Sequence, residues 1–266
     1  MPEILQYGFM QRALLAGVTV GVIAPVIGIF LVPRRLSLIA DALAHVALAG
    51  VALGLLAGTA PLAGALAVTV AGAVAIERLR GAGRLSGDAA LALFLSGGLA
   101  VAVVVIGLAG GFSVDLFSYL FGAITTVAPG DLWLILPLGL LVLGVVIFLY
   151  KELFAITFDE EGARVQGVPV DALNLLLTVL VAVTVVVAMR IVGVLLIGAL
   201  IVIPAVTALR VAGSFRAALV LAVACSLAAT TAGITAAFYL NLPASGTIVL
   251  CAIVLLAAAS ALPGRR

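Results

Sequence analysis

The sequence predicts an all-α polytopic membrane protein of about eight to nine transmembrane helices, with its N-terminus outside and its C-terminus cytoplasmic. Three observations predict it. Of 266 residues, 66% are hydrophobic and only 13 are Lys or Arg and 11 Asp or Glu, with a mean hydropathy of +1.45; charged residues make up about a quarter of an ordinary soluble domain. The apolar residues fall into runs of about 20, the length that crosses a hydrocarbon core as a helix. The polar stretches between the runs are too short to hold a soluble domain, so residues 1–266 read as a single transmembrane domain with one cytoplasmic segment at about 150–170.

Taken in chain order, the apolar runs between charges and turn residues predict helices at about 10–32, 38–58, 60–76, 88–109, 131–149, 171–188, 191–209, 217–238 and 244–262. The first nine residues carry Glu3 and no basic residue, the wrong charge for the leading end of a cleaved secretory signal, so the first span is expected to begin near Met10. Ala172 to Leu209 holds Arg190 as its only charge. One helix of that length would measure about 57 Å, far more than a hydrocarbon core of about 30 Å, so the chain must fold back near Arg190. Gly110 to Gly130 is apolar but interrupted by Asp115 and Pro129, and reads as an interfacial or re-entrant helix.

Orientation follows from the basic residues. With the N-terminus outside, Arg34, Arg35, Arg78, Arg80, Arg84, Lys151, Arg164, Arg210, Arg216, Arg265 and Arg266 all fall on the cytoplasmic side, leaving only Arg12 and Arg190 outside. A full crossing by the Gly110 to Gly130 segment would destroy that asymmetry. The net charge of +2 is this loop bias and carries no message about nucleic acid. Glycines at spacing four, Gly17 with Gly21 and Gly50 with Gly54 and Gly58, suit helices that approach until their backbones touch. Cys225 and Cys251 stand alone in apolar runs, without the spacing of a zinc site or a disulfide framework, and are expected to be packing residues.

Two ionisable residues remain deep in an apolar span: Asp41 and His45, the only histidine. At positions i and i+4 of a helix they project from one face into the same space, with Ser37 one turn earlier on that ridge. His45 lies ten residues beyond Arg35, about 15 Å into the core and close to its midplane. Such a pair can serve as hydrogen-bonded glue between helices. Against that stands the cost of a charge in the bilayer, which makes an ion or proton path the default reading. A carboxylate oxygen with an imidazole nitrogen suits borderline divalent ions such as zinc, manganese or ferrous iron, and the lack of nearby cysteine disfavours a copper(I) site.

The polar stretch from Tyr150 to Pro169 is the second feature. Thr157-Phe158-Asp159-Glu160 reads as a capping box opening a short acidic helix, with Thr157 as N-cap, and Gly167 before Pro169 closes it. A solvated loop helix and a docking element for a cytoplasmic partner are both open readings. No phosphate-binding loop, His-Glu-x-x-His or Gly-x-Ser-x-Gly occurs, so nucleotide hydrolysis and intramembrane hydrolase chemistry lack their motifs, and one histidine cannot build a three-histidine zinc centre.

From Arg34 to Gly54, around Asp41 and His45, the sequence resembles the signature of the zinc/manganese/iron ABC transporter permeases. The resemblance continues through Ser118-Tyr119-Leu120-Phe121-Gly122, Lys151-Glu152-Leu153 with Thr157-Phe158-Asp159-Glu160-Glu161, Val192-Gly193-Val194-Leu195-Leu196 to Ile203-Pro204-Ala205, and Leu242-Pro243-Ala244-Ser245-Gly246. These blocks stand in family order over nearly the whole chain. The resemblance implies a homodimeric, multi-pass permease of the bacterial plasma (inner) membrane, with no enzymatic activity or resident cofactor of its own. Two cytoplasmic ABC ATPase subunits and an extracytoplasmic metal-binding protein are its implied partners. It further implies that Asp41 and His45 lie on the metal path and that Phe158, Asp159, Glu160 and Glu161 couple the permease to the ATPase. An ion-coupled secondary metal transporter is the alternative class, though the internal repeat that usually marks one is not evident.

Overall fold

The computed structural model describes residues 6–81, 86–109, 116–123, 125 and 127–261, and among them every regular element is helical. Among the described residues eight helices are long and apolar enough to cross a membrane: α1 (Gly8–Leu31), α2 (Leu38–Leu56), α3 (Pro61–Gly81), α4 (Gly87–Leu108), α6 (Pro129–Phe148), α9 (Val170–Ala188), α11 (Phe215–Leu240) and α12 (Ala244–Ala261). Between them lie the short α5 (Leu116–Phe121), α7 (Tyr150–Phe158), α8 (Glu160–Val165) and α10 (Ile197–Val211).

α1, α2 and α9 are enclosed by the other helices, whereas α3, α4, α6, α11 and α12 bury only about a quarter to two fifths of their apolar spans. The outer surfaces of these peripheral helices present residues such as Val103, Val104, Trp133, Leu140, Ile147 and Val254. Water would penalise that surface; acyl chains match it, while backbone hydrogen bonds stay inside each helix. Helix contacts then depend on close fit. Gly17 and Gly21 of α1 lie against Thr230, Leu227 and Ile234 of α11, and Gly50 and Gly54 of α2 lie against Gly64 of α3. Gly58 does not share this role: it stands at φ +67 with open space around it and terminates α2. Cys225 and Cys251 are free and half-buried.

The turn that joins α1 to α2 is a Schellman motif. Leu36 N–H donates to the Leu31 carbonyl and Arg35 N–H to that of Val32, both at 3.1 Å. Arg35 occupies the left-handed position at φ +58, where glycine is usual and a side chain costs about 1 kcal/mol. The turn thus fixes Arg34 and Arg35 immediately ahead of the helix that carries Asp41 and His45.

The expected helix at 191–209 is corrected to Ile197–Val211. Residues 189–196 are irregular because their backbone pairs with α5 and the residues after it: Val194 N–H donates to the Tyr119 carbonyl (2.9 Å), Leu195 N–H to that of Leu120 (3.2 Å) and Ala123 N–H to that of Arg190 (3.3 Å). The two chains cross at Gly122 and Gly193, both at positive φ, where a Cβ on either would strike the opposite backbone. Non-helical backbone at membrane depth survives only when sheathed in protein in this way. The fold-back near Arg190 is present, and α5, six residues and about 9 Å long, cannot cross a bilayer. Residues 110–115, 124 and 126 of the expected re-entrant segment lie outside the described residues.

The capping box at Thr157 and Glu160 is also corrected. Thr157 belongs to α7 and donates its hydroxyl to the Leu153 carbonyl, whereas Asp159 is the N-cap of α8, its Oδ1 accepting from Gly162 N–H at 2.8 Å. Asp159 outcompetes Thr157 because α7 runs two residues further than the capping box required. Gly167, at φ +83, ends α8 as expected.

Candidate functional site

Asp41 and His45 stand one turn apart on α2, both half-buried. Among the described residues no hydrogen bond or ion pair joins them, and His45 Nδ1 is buried with no partner. That arrangement is a poor helix glue, because a buried polar atom left unpaired costs about 1–3 kcal/mol and gains nothing in return. It suits a pair of donors that take up a ligand in passing.

Two neighbouring helices shape the space around the pair. α10 begins beside it: Gly198, the second residue of that helix, packs so closely on the Asp41 carboxylate that a Cβ there would collide with it. The amide ends of α10 therefore lie near a negative charge, the favourable sense of the helix dipole. On another side, a Cβ at Gly98 of α4 would fall 2.8 Å from the backbone of His45 and Val46. Among the described residues no group of three or more His, Cys, Asp or Glu is assembled. Among the described residues the pair thus offers an ion two side-chain donors, fewer than the four that a structural zinc site closes around it.

A second polar cluster, absent from the sequence reading, occupies the end of the bundle where 189–196 meets α5. Arg190 pairs with Asp131 at the start of α6, Nε to Oδ2 at 3.2 Å and Nη2 to Oδ1 at 3.3 Å. Its guanidinium lies 4.7 Å from the centre of the Tyr119 ring, and Asp131 Oδ2 also accepts from Ala128 N–H at 2.9 Å. The signal was available: Arg190 is the only charge between Ala172 and Leu209, and Asp131 the only acid in its span. Arg12 reaches the same end, donating to the Val127 carbonyl at 2.9 Å.

The opposite end gathers Arg34, Arg80, Lys151, Arg164 and Arg216 around α7 and α8. Of the residues expected to couple to an ATPase, Phe158 is 60% exposed and edges onto Phe154 and Phe215. Glu161 is exposed and bound to nothing among the described residues. Asp159 is occupied as the α8 cap, and Glu160 bonds inward to Arg34 and Asn174. All four are exposed, and two of them, Asp159 and Glu160, also make hydrogen bonds within the permease.

The model of the ABC 3 transport family matches residues 6–262. The chain belongs to that family. It is similar to the manganese transport system membrane protein MntC of Halalkalibacterium halodurans, 33% identical over 97% of this chain and 88% of that one. It is also similar to the manganese import system permease protein ScaB of Streptococcus gordonii, 33% identical over 92% and 87%. Among solved structures, PsaBC from Streptococcus pneumoniae in complex with Fab superposes with a TM-score of 0.87 at 32% identity, covering 96% of this chain and 92% of that chain. As an ABC 3 family member the chain is a multi-pass membrane permease subunit of a metal ABC importer, and the ion-coupled carrier falls away.

Proposed function

We propose that this permease moves manganese, zinc or ferrous iron into the cytoplasm past Asp41 and His45, driven by a separate ATPase subunit. The observation that carries the proposal is the His45 Nδ1, unpartnered among the described residues, beside an Asp41 carboxylate with which no described Lys or Arg forms an ion pair. Asp41 supplies a hard, charged oxygen and His45 a neutral nitrogen, a mixture that borderline divalent ions accept. Two protein donors leave the rest of the ion's shell to water, backbone carbonyls or a second protomer's pair. Incomplete coordination favours release, which passage requires as much as capture does. The manganese named for the relatives MntC and ScaB makes manganese the first cargo to test.

In this reading the end bearing Arg34, Arg80, Lys151 and Arg164 faces the cytoplasm of a bacterial plasma membrane, and the Arg190–Asp131 end faces outward. A homodimer, two ATPase subunits and an extracytoplasmic metal-binding protein complete the machine. Phe158, Asp159, Glu160 and Glu161 are exposed on this end, and Phe158 and Glu161, whose side chains make no hydrogen bond to another described residue, are the first contacts to test with the ATPase. The test is purification of the permease with its ATPase, reconstitution in vesicles, and uptake of manganese, zinc and ferrous iron with and without ATP. ATP-dependent accumulation of at least one of these ions is expected. Uptake that ignores ATP but follows a proton or sodium gradient would contradict the reading.

A further inference from the structure

Three side chains from three segments close a ring at the end that carries α7 and α8. Arg34, in the α1–α2 turn, donates through Nη2 to Glu160 Oε2 at 2.9 Å and to Asn174 Oδ1 at 2.7 Å. Asn174, on α9, donates through Nδ2 to Glu160 Oε1 at 3.1 Å. Each member touches the other two, and both carboxylate oxygens and both ends of the amide are used. The Arg34 side chain is only 9% exposed, against 44% for Glu160. The arginine is withdrawn from water while the carboxylate stays partly exposed, and the bonds that Asn174 makes to both hold the pair to one geometry better than an isolated surface pair keeps.

The ring does not stop at α9. Thr178, one turn beyond Asn174, has its hydroxyl 2.9 Å from the Asn174 carbonyl and 3.1 Å from Glu77 Oε2 on α3, and Glu77 in turn pairs with Arg80 at 3.0 Å. Glu160 is thereby tied to α9, through α9 to α3, and to the turn that begins α2. Arg34 stands seven residues before Asp41, with the strained Arg35 turn between them. A shift of α8 cannot break into local wobble without opening the ring.

We infer that the Arg34–Glu160–Asn174 ring transmits movement of the α7–α8 segment to the helix that holds Asp41 and His45, with Glu160 a positioning residue that acts through its bonds to Arg34 and Asn174. The inference rests on the proposed reading of an ATP-driven importer. Its test exploits the symmetry of the ring: exchanging the charges leaves Asn174 able to serve, because its amide turns to offer donor in place of acceptor.

The experiment uses the full complex in vesicles and measures metal moved per ATP hydrolysed for Arg34→Glu, Glu160→Arg and the combined exchange. Each single variant should still co-purify with the ATPase yet move about tenfold less metal per ATP, a loss within the range typical of coupling between two sites. The exchange should recover most of it. An Arg34→Glu variant that couples normally, or an exchange that assembles and transports no better than Glu160→Arg alone, overturns the inference. Asn174→Ala removes no charge and keeps the test open if the charge variants do not insert. It should lower the ratio several-fold, and an unchanged ratio counts against the ring. If the unaltered permease shows no ATP-dependent uptake, the importer reading itself has failed, a result distinct from every variant outcome above.

Discussion

The Asp41 carboxylate abuts the α carbon of Gly198, so the helix that starts halfway through the bundle starts against the acid of α2. No other residue type fits there without moving one of the two. Gly198→Ala should push the carboxylate aside at an overpacking cost of about 1–3 kcal/mol. The complex should still assemble while metal uptake falls sharply; uptake at the normal rate would show that the position of Asp41 is not critical.

The Arg190–Asp131 pair leaves only 16% and 11% of its side chains exposed. Removing one partner of a buried pair costs about 3–5 kcal/mol, and residual exposure places this one near the lower bound. Asp131→Ala should lower the melting temperature of the purified permease, and Asp131→Leu with Arg190→Met should restore much of it, because two apolar groups leave no orphaned charge. A single variant that melts like the parent would mean that the pair contributes nothing to holding α5 and 189–196 together.

Orientation is open to direct labelling. With Cys225 and Cys251 replaced, Thr59→Cys, at the exposed turn after α2, should react with an impermeant thiol reagent in intact cells, and Glu161→Cys only after lysis. The reverse pattern inverts the proposed topology.

Phe158 and Glu161 give a separate test of ATPase contact. Phe158→Ala and Glu161→Lys alter exposed groups outside the Arg34 ring, so both should reduce permease-stimulated ATP hydrolysis and co-purification without affecting the melting temperature. Normal stimulation in both variants would move the docking surface elsewhere.

Most spans were legible because an apolar run of about 20 residues has one viable conformation in lipid. The exception is instructive. Val192 to Leu196 is as apolar as any helix in the chain, yet it forms irregular turns, since the N–H groups of Val194 and Leu195 go to the carbonyls of Tyr119 and Leu120 some 70 residues earlier, and no local pattern announces such a pairing. Asp41 and His45 were found through the cost of burying charge. The same argument applied to Arg190 and Asp131 would have found them too, but each lies at a span end, where a loop charge was the simpler reading. The sequence places Glu160 in a polar segment, but its bonds to Arg34 and Asn174 join residues 126 and 14 positions away, and only the folded chain brings them together.

The central claim is that Asp41 and His45 contact the metal in transit. Asp41→Asn keeps the shape and removes the charge, and His45→Ala removes the nitrogen; neither bonds to another described residue, so both variants should fold and assemble with the ATPase. Initial rates of radiolabelled manganese uptake by vesicles containing each assembled variant are the decisive measurement. The account predicts loss of ATP-driven uptake in both, with the complex intact. Assembled variants that accumulate the ion at the parent's rate would show that the pair lies off the path.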